Sequence, residues 1–135
     1  PSDAMFGLGS SQLKGEAALR LEAFAKKLTF NYSKCSIKFV GHTDSSGTAE
    51  ENLRLSKERA EAVRSWFENW ANKNGAVDWT FSADGRGESE LIIPDTDANG
   101  AYIKDAAAIN RRIGIEVESA TAKVVNLADN QPAGE

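Results

Sequence analysis

Ser36-Ile37-Lys38-Phe39-Val40-Gly41-His42-Thr43-Asp44 is followed by Ser45-Ser46-Gly47 and then by Thr48-Ala49-Glu50-Glu51-Asn52-Leu53-Arg54-Leu55-Ser56-Lys57-Glu58-Arg59. The first run alternates and then turns apolar, which marks a strand. The small polar residues break it. Thr48, with Glu51 three positions later, has the spacing of a capping box, so a helix starts there. A strand entering a helix through a short loop is a unit of α/β packing. Asp44 at the strand end and Arg59 on the helix are thereby expected to come close together.

Working outward, the helix continues to about Trp70 and is closed by Asn72-Lys73-Asn74-Gly75. Upstream, Ala17, Leu21, Phe24, Ala25 and Leu28 form the stripe of an earlier helix that begins near Glu16 and ends at Asn31-Tyr32-Ser33. Ala4-Met5-Phe6 before it reads as a short first strand, broken by Gly7-Leu8-Gly9-Ser10-Ser11. Downstream, Trp79-Thr80-Phe81-Ser82-Ala83 alternates as a strand, and Gly85 to Ser89 is a turn. A loop-rich stretch fills 90–104, a short helix spans about Asp105 to Asn110, and Ile113, Ile115 and Val117 mark a last strand. The order β-α-β-α-β-(α)-β predicts an α/β (α+β) two-layer sandwich with helices packed on one mixed sheet. Residues 1–120 make the domain, and the small polar residues of 121–135 read as a flexible tail.

The second helix breaks the usual amphipathic rule. At 100° per residue, one stripe collects Asn52, Ser56, Arg59, Val63, Trp66, Phe67 and Trp70. Its second half faces a core, so its first half places a guanidinium on the core-facing line. An uncompensated buried charge costs several kcal/mol, so Arg59 requires an anion. Two readings stand: a structural Asp44–Arg59 salt bridge stapling strand to helix, or a pair that diverges to hold the two poles of a zwitterion. Arginine suits the second because its fork grips a carboxylate bidentately. Asn52 adds an amide that both donates and accepts.

Bulk properties narrow the classes. The 135 residues, 41% hydrophobic and 27% charged, suit one globular domain that buries roughly two-thirds of its unfolded surface. A net charge of −4 with scattered basic residues argues against nucleic acid or an anionic membrane as partner. Cys35 is the one cysteine and His42 the one histidine, so no internal disulfide, metal spacing or catalytic triad is indicated. His42 reads as structural and hydrogen-bonded. No serine sits in a nucleophile elbow, and Gly7-x-Gly9 lacks the third glycine of a dinucleotide loop. No enzyme and no cofactor are expected. No run is apolar enough to span a bilayer, and the opening Pro1-Ser2-Asp3 has no signal-peptide character, so a fragment or processed chain is expected. In Asn110-Arg111-Arg112, one arginine is expected at the functional edge of the sheet and the other in solvent.

Gly41-His42-Thr43-Asp44, Asn52-x-x-Leu55-Ser56-x-x-Arg59-Ala60-x-x-Val63, Gly85-x-Gly87-Glu88-Ser89 and Asn110-Arg111-Arg112-Ile113 occur in the order and spacing of the OmpA-like peptidoglycan-binding domain, which this chain resembles over residues 41–117. Phe6-x-x-Gly9-Ser10-x-x-Leu13 is similar to its MotB-type branch, stator subunits with one transmembrane helix upstream. The resemblance implies a periplasmic, non-catalytic domain of an envelope protein, with any membrane contact made by segments outside this chain. It implies binding of the diaminopimelate-type stem peptide of peptidoglycan. Asp44 would take the ammonium and Arg59 the carboxylate, while Thr43, Asn52 and Arg111 frame the pocket.

The chain departs from the family pattern in two places. Residues 90–109 are longer than usual and carry Lys104-Asp105-Ala106-Ala107-Ala108 in place of the family's Glu-Gly-Arg approach, so this loop is expected near the pocket. Gly9 stands where many relatives have a polar residue. These departures motivate the alternative: a dimerisation or protein-interaction module, such as a homodimer, with weak or lost peptidoglycan binding. A hydrolase built on His42, Asp44 and a serine is the least favoured class.

Overall fold

The computed structural model describes residue 3, residues 5–76 and residues 78–123. Its elements are α1 (Ala17–Asn31), β1 (Tyr32–His42), α2 (Ala49–Lys73), β2 (Trp79–Gly85), α3 (Lys104–Asn110) and β3 (Arg112–Ala122). The sheet runs β2-β1-β3, with β2 parallel and β3 antiparallel to the central β1. This is the expected mixed sheet with helices packed on it, and Thr48 caps α2 by accepting the Glu51 amide at 3.1 Å.

One element differs from expectation. Met5 and Phe6 do not form a strand; Phe6 makes an isolated bridge to Leu13, and the Lys14 amide donates to the Met5 carbonyl at 2.7 Å. Gly9, at φ 65°, lies in the Gly7-to-Ser10 turn that sends the chain back on itself, so the segment closes locally. The Phe6 side chain nevertheless joins the core.

Two strands are longer than expected. β1 leaves α1 directly at Tyr32, and β3 runs to Ala122, because Tyr32 to Ser36 pair with Ser119 to Ala122 across register shifts. The residues Glu-Ser-Ala-Thr-Ala carry little apolar signal, so pairing rather than pattern extends that strand. The rest of the expected tail, 124–135, lies outside the described residues.

Ile37 and Phe39 of β1 are buried beneath α2, and Phe67 packs on Phe39 and Phe81 with ring centroids 4.9 and 5.6 Å apart. At the other end of α2 the contact is backbone to backbone. A Cβ on Gly41 would lie 2.0 Å from the Ser56 carbonyl oxygen, and one on Gly85 would lie 2.4 Å from the Lys57 nitrogen. Glycine at these two positions lets the first half of α2 lie directly on the ends of β1 and β2. The turn after β2 then ties strand and helix together. The Arg86 and Thr43 amides donate to the Gly41 and Gly87 carbonyls, at 3.0 and 2.8 Å, and the Gly87 amide donates to Ser56 Oγ at 2.9 Å.

Candidate functional site

The end of β1, the start of α2, the loop after Asp44 and the entry into β3 converge on one polar corner. His42, Thr43, Asp44, Asn52, Ser56 and Arg59 are all buried there. The five residues expected at a site, Asp44, Arg59, Asn52, Arg111 and Thr43, all belong to this corner, but they hold different places in it.

Asp44 is the centre. Its Oδ1 accepts from the Ser46 amide at 2.8 Å and the Ser46 hydroxyl at 2.5 Å. Its Oδ2 accepts from Arg111 Nη1 at 2.6 Å and from the Tyr102 hydroxyl at 2.9 Å. Burial alone would push this carboxyl up; the donors of Ser46, Arg111 and Tyr102 outweigh it and hold the group below the usual carboxylate range.

The ionic partner of Asp44 is thus Arg111, and the described contacts include no Asp44–Arg59 ion pair. Of the two readings, the closed salt bridge between those residues is not the one the structure adopts. Arg59 sits under the Phe6 turn instead. Its Nε donates to the Ser10 carbonyl at 2.9 Å and Nη2 to the Gly7 carbonyl at 3.2 Å, and its guanidinium carbon lies 5.1 Å from the centre of the Phe6 ring. Burial lowers its affinity for its proton, while the nearby carboxylates of Asp3 and Asp44 raise it.

Arg111 is the more accessible of the two cations, with 22% of its side chain exposed. Its Nε and Nη2 form a fork on the Asp3 carboxylate, both at 2.8 Å. The Arg111 hydrogen bond holds Asp3 below the usual carboxylate range against burial, and Arg59 contributes through space. A carboxylate therefore stands within the attraction of both arginines. Arg112, the other arginine of the pair, reaches the Asn110 and Glu90 carbonyls at 3.2 and 3.1 Å and is half-buried rather than free in solvent.

Asn52 and Thr43 support the loop. The Asn52 amide nitrogen donates to Ser46 O at 2.7 Å, Glu88 Oε1 at 2.9 Å and Asp44 O at 3.3 Å. Thr43 turns its hydroxyl onto the Asp44 carbonyl at 2.9 Å. His42 is buried against Gly114, but its Nδ1 has no hydrogen-bond partner among the described residues, contrary to the hydrogen-bonded role expected of it. Burial, followed by the positive Arg112, keeps its pKa below the ordinary histidine value.

Asp95 and Tyr102 carried no signal in the sequence. Asp95, buried, accepts from the Ser45 amide at 2.9 Å, from the Ser45 hydroxyl and from Asn110 Nδ2 at 3.2 Å. Asn110 Oδ1 in turn accepts from the Ile92 amide at 2.8 Å. This network fixes the 90–109 segment beside the Asp44 loop, as expected from its position, and brings Tyr102 onto Asp44. A tyrosine in a polar loop gives no periodic cue, so only the folded loop reveals it.

A model of the OmpA family matches residues 5–105. The chain belongs to the OmpA family. It is 33% identical over 117 residues to outer membrane porin F of Pseudomonas aeruginosa, an alignment covering 87% of this chain and 31% of the porin. It is 31% identical over 124 residues to the photosystem I P700 chlorophyll a apoprotein A2 of Gloeobacter violaceus, covering 92% of this chain and 14% of that protein. The chain thus spans less than a third of either relative.

Among solved structures, this OmpA-family chain is similar to the cell wall anchor of the T6SS from Pseudomonas aeruginosa, with a TM-score of 0.68 at 25% identity over 90% of this chain and 78% of that one. The peptidoglycan-associated lipoprotein of Burkholderia pseudomallei shares the fold, with a TM-score of 0.60 at 24% identity over 85% and 88%. So does the periplasmic domain of Helicobacter pylori MotB, with a TM-score of 0.64 at 20% identity over 96% and 77%.

Proposed function

We propose that this domain binds peptidoglycan non-covalently through the diaminopimelate of its stem peptide and anchors a larger envelope protein to the cell wall in the periplasm. The observation that carries this reading is the juxtaposition of the Asp44 carboxylate with Arg59 and Arg111 at one buried corner of an OmpA-family fold. Diaminopimelate offers an ammonium and a carboxylate on one carbon. Asp44 suits the ammonium. The carboxylate would meet Arg111, in the place where the Asp3 carboxylate is forked by Arg111 and attracted through space by Arg59. The names of the similar structures, a cell wall anchor and a peptidoglycan-associated lipoprotein, support the same polymer.

No reacting group is required for this function. Charge-assisted hydrogen bonds hold the ligand, and desolvation offsets much of their strength. An affinity of micromolar order, about −8 kcal/mol, is sufficient, because many such domains on one polymer hold by avidity. Co-sedimentation with purified sacculi tests the proposal. The parent domain should pellet with sacculi, and Asp44→Ala and Arg59→Ala should stay in the supernatant. Equal pelleting of parent and variants would refute it.

Self-association is the second reading. Ile115 and Val117 of β3 are 44% and 54% exposed although both partner buried β1 residues across the sheet. Sedimentation equilibrium decides it: a dimer that persists alongside absent sacculus binding would place this reading first.

A further inference from the structure

This inference rests on the peptidoglycan reading above, in which a ligand ammonium meets Asp44. A carboxylate offers about four acceptor positions, two on each oxygen. On Asp44 the chain itself fills all four, with the Ser46 amide and hydroxyl on Oδ1 and with Arg111 and Tyr102 on Oδ2. An incoming ammonium must therefore release one donor.

The four donors are not equally replaceable. Both Ser46 donors belong to the turn between β1 and α2, and the Ser46 carbonyl is held by Asn52 at 2.7 Å. Releasing Arg111 would give up a charge-assisted bond to Asp44, and Arg111 is held in place by its fork onto Asp3. Tyr102 is a neutral donor with a side chain that reaches solvent, its residue being 47% exposed. A side-chain rotation is enough to take its hydroxyl from Asp44 into water.

The backbone beneath it is held by hydrogen bonds of its own, none of which involves the hydroxyl. Thr96 bridges to Tyr102, and the Ile103 amide donates to the Asp95 carbonyl at 2.7 Å. Asp97 Oδ1 accepts from the amides of Asn99 and Ala101 at 2.8 and 2.9 Å. The loop is a rigid mount for a movable hydroxyl.

We propose that Tyr102 is a residue of the binding site whose hydroxyl holds, on Asp44 Oδ2, the position that the ligand's ammonium takes, and leaves it when the ligand binds. Arg111 Nη1, which donates to the same hydroxyl at 3.1 Å, keeps its bond to Asp44 throughout.

Isothermal titration calorimetry of the domain with N-acetyl-L-Ala-γ-D-Glu-meso-diaminopimelate, whose one free amine is that of diaminopimelate, tests this, using the same peptide acetylated on that amine as well as the second probe. Tyr102→Phe keeps the ring and removes the competing hydroxyl, so water occupies the position and is displaced at lower cost. The variant should bind the free-amine tripeptide about threefold to tenfold more tightly than the parent. The doubly acetylated tripeptide, which has no ammonium to displace the hydroxyl, should bind parent and variant alike. An unchanged or weaker affinity for the free-amine tripeptide, or an equal gain for both peptides, would overturn the inference while leaving the peptidoglycan reading in place. A parent domain that binds neither peptide would overturn both.

Discussion

The two halves of α2 bury the same face against the same sheet, yet they do opposite things with it. From Val63 to Ala71 the buried residues are Val63, Phe67 and Ala71, and their contacts are rings and methyl groups of the core. From Asn52 to Arg59 they are Asn52, Ser56 and Arg59, and their contacts are hydrogen bonds to turns and loops. Burial alone therefore does not identify core. In the apolar half it stabilises by removing surface from water. In the polar half it is tolerated because each group finds a partner, and those partners are the loops that shape the site.

This contrast can be broken at either end. The largest effect is expected for Phe67→Ala, which empties the ring cluster with Phe39 and Phe81. It should cost about 3–5 kcal/mol in urea unfolding. Arg59→Leu comes next: it strips the Ser10 and Gly7 carbonyls of their donors and should cost about 1–3 kcal/mol, while also removing sacculus binding. If Phe67→Ala also removed binding in protein that remained folded, the separation of the two halves would be wrong.

Gly41→Ala sharpens the boundary between them. The added Cβ meets helix backbone rather than a flexible side chain, so α2 must lift off β1. A loss of about 1–3 kcal/mol in the same urea assay is expected, as for overpacking elsewhere.

Acid should act chiefly on the polar half. Asp44 and Asp95 both have folded pKa values below the ordinary carboxylate value, so the unfolded chain binds more protons as pH falls. Their contribution is complete above about pH 4 and is lost as pH drops through their lower folded values. His42 acts in the same direction at higher pH. Its folded value is below 6.5, so stability declines as pH falls from there towards that lower value. Thermal melts between pH 7 and pH 2 should show both declines, and Asp95→Asn should reduce the lower one. The smallest effect is expected for Arg54→Ala on the exposed side of α2. Its pairs with Glu51 and Glu58 are solvent-screened, and the melting temperature should stay within error.

Much of the fold was legible because local pattern and tertiary structure agreed. The helix cap at Thr48, the alternation in β1 and the stripe through α2 each appear in the structure at the expected positions. What was missed had no local signature. Phe6 is apolar and buried, but the Gly7-to-Ser10 turn folds it onto Leu13 instead of extending it into a strand. The end of β3 is polar and small, and it is strand only because Tyr32 to Ser36 pair with it.

For the site, the sequence by itself determined the residue types and their side of the helix. Arg59 had to face inward because the helical period puts it in line with Val63 and Phe67, and an inward charge needs an anion. Which carboxylate meets which cation was decided only by the tertiary structure. Asp44 pairs with Arg111 across 67 residues and with Tyr102 across 58, through loops whose paths no periodicity records. Periodicity fixes a face. The choice of partner on that face is set by the loops that close over it and by the buried Asp95–Asn110 network that holds them there.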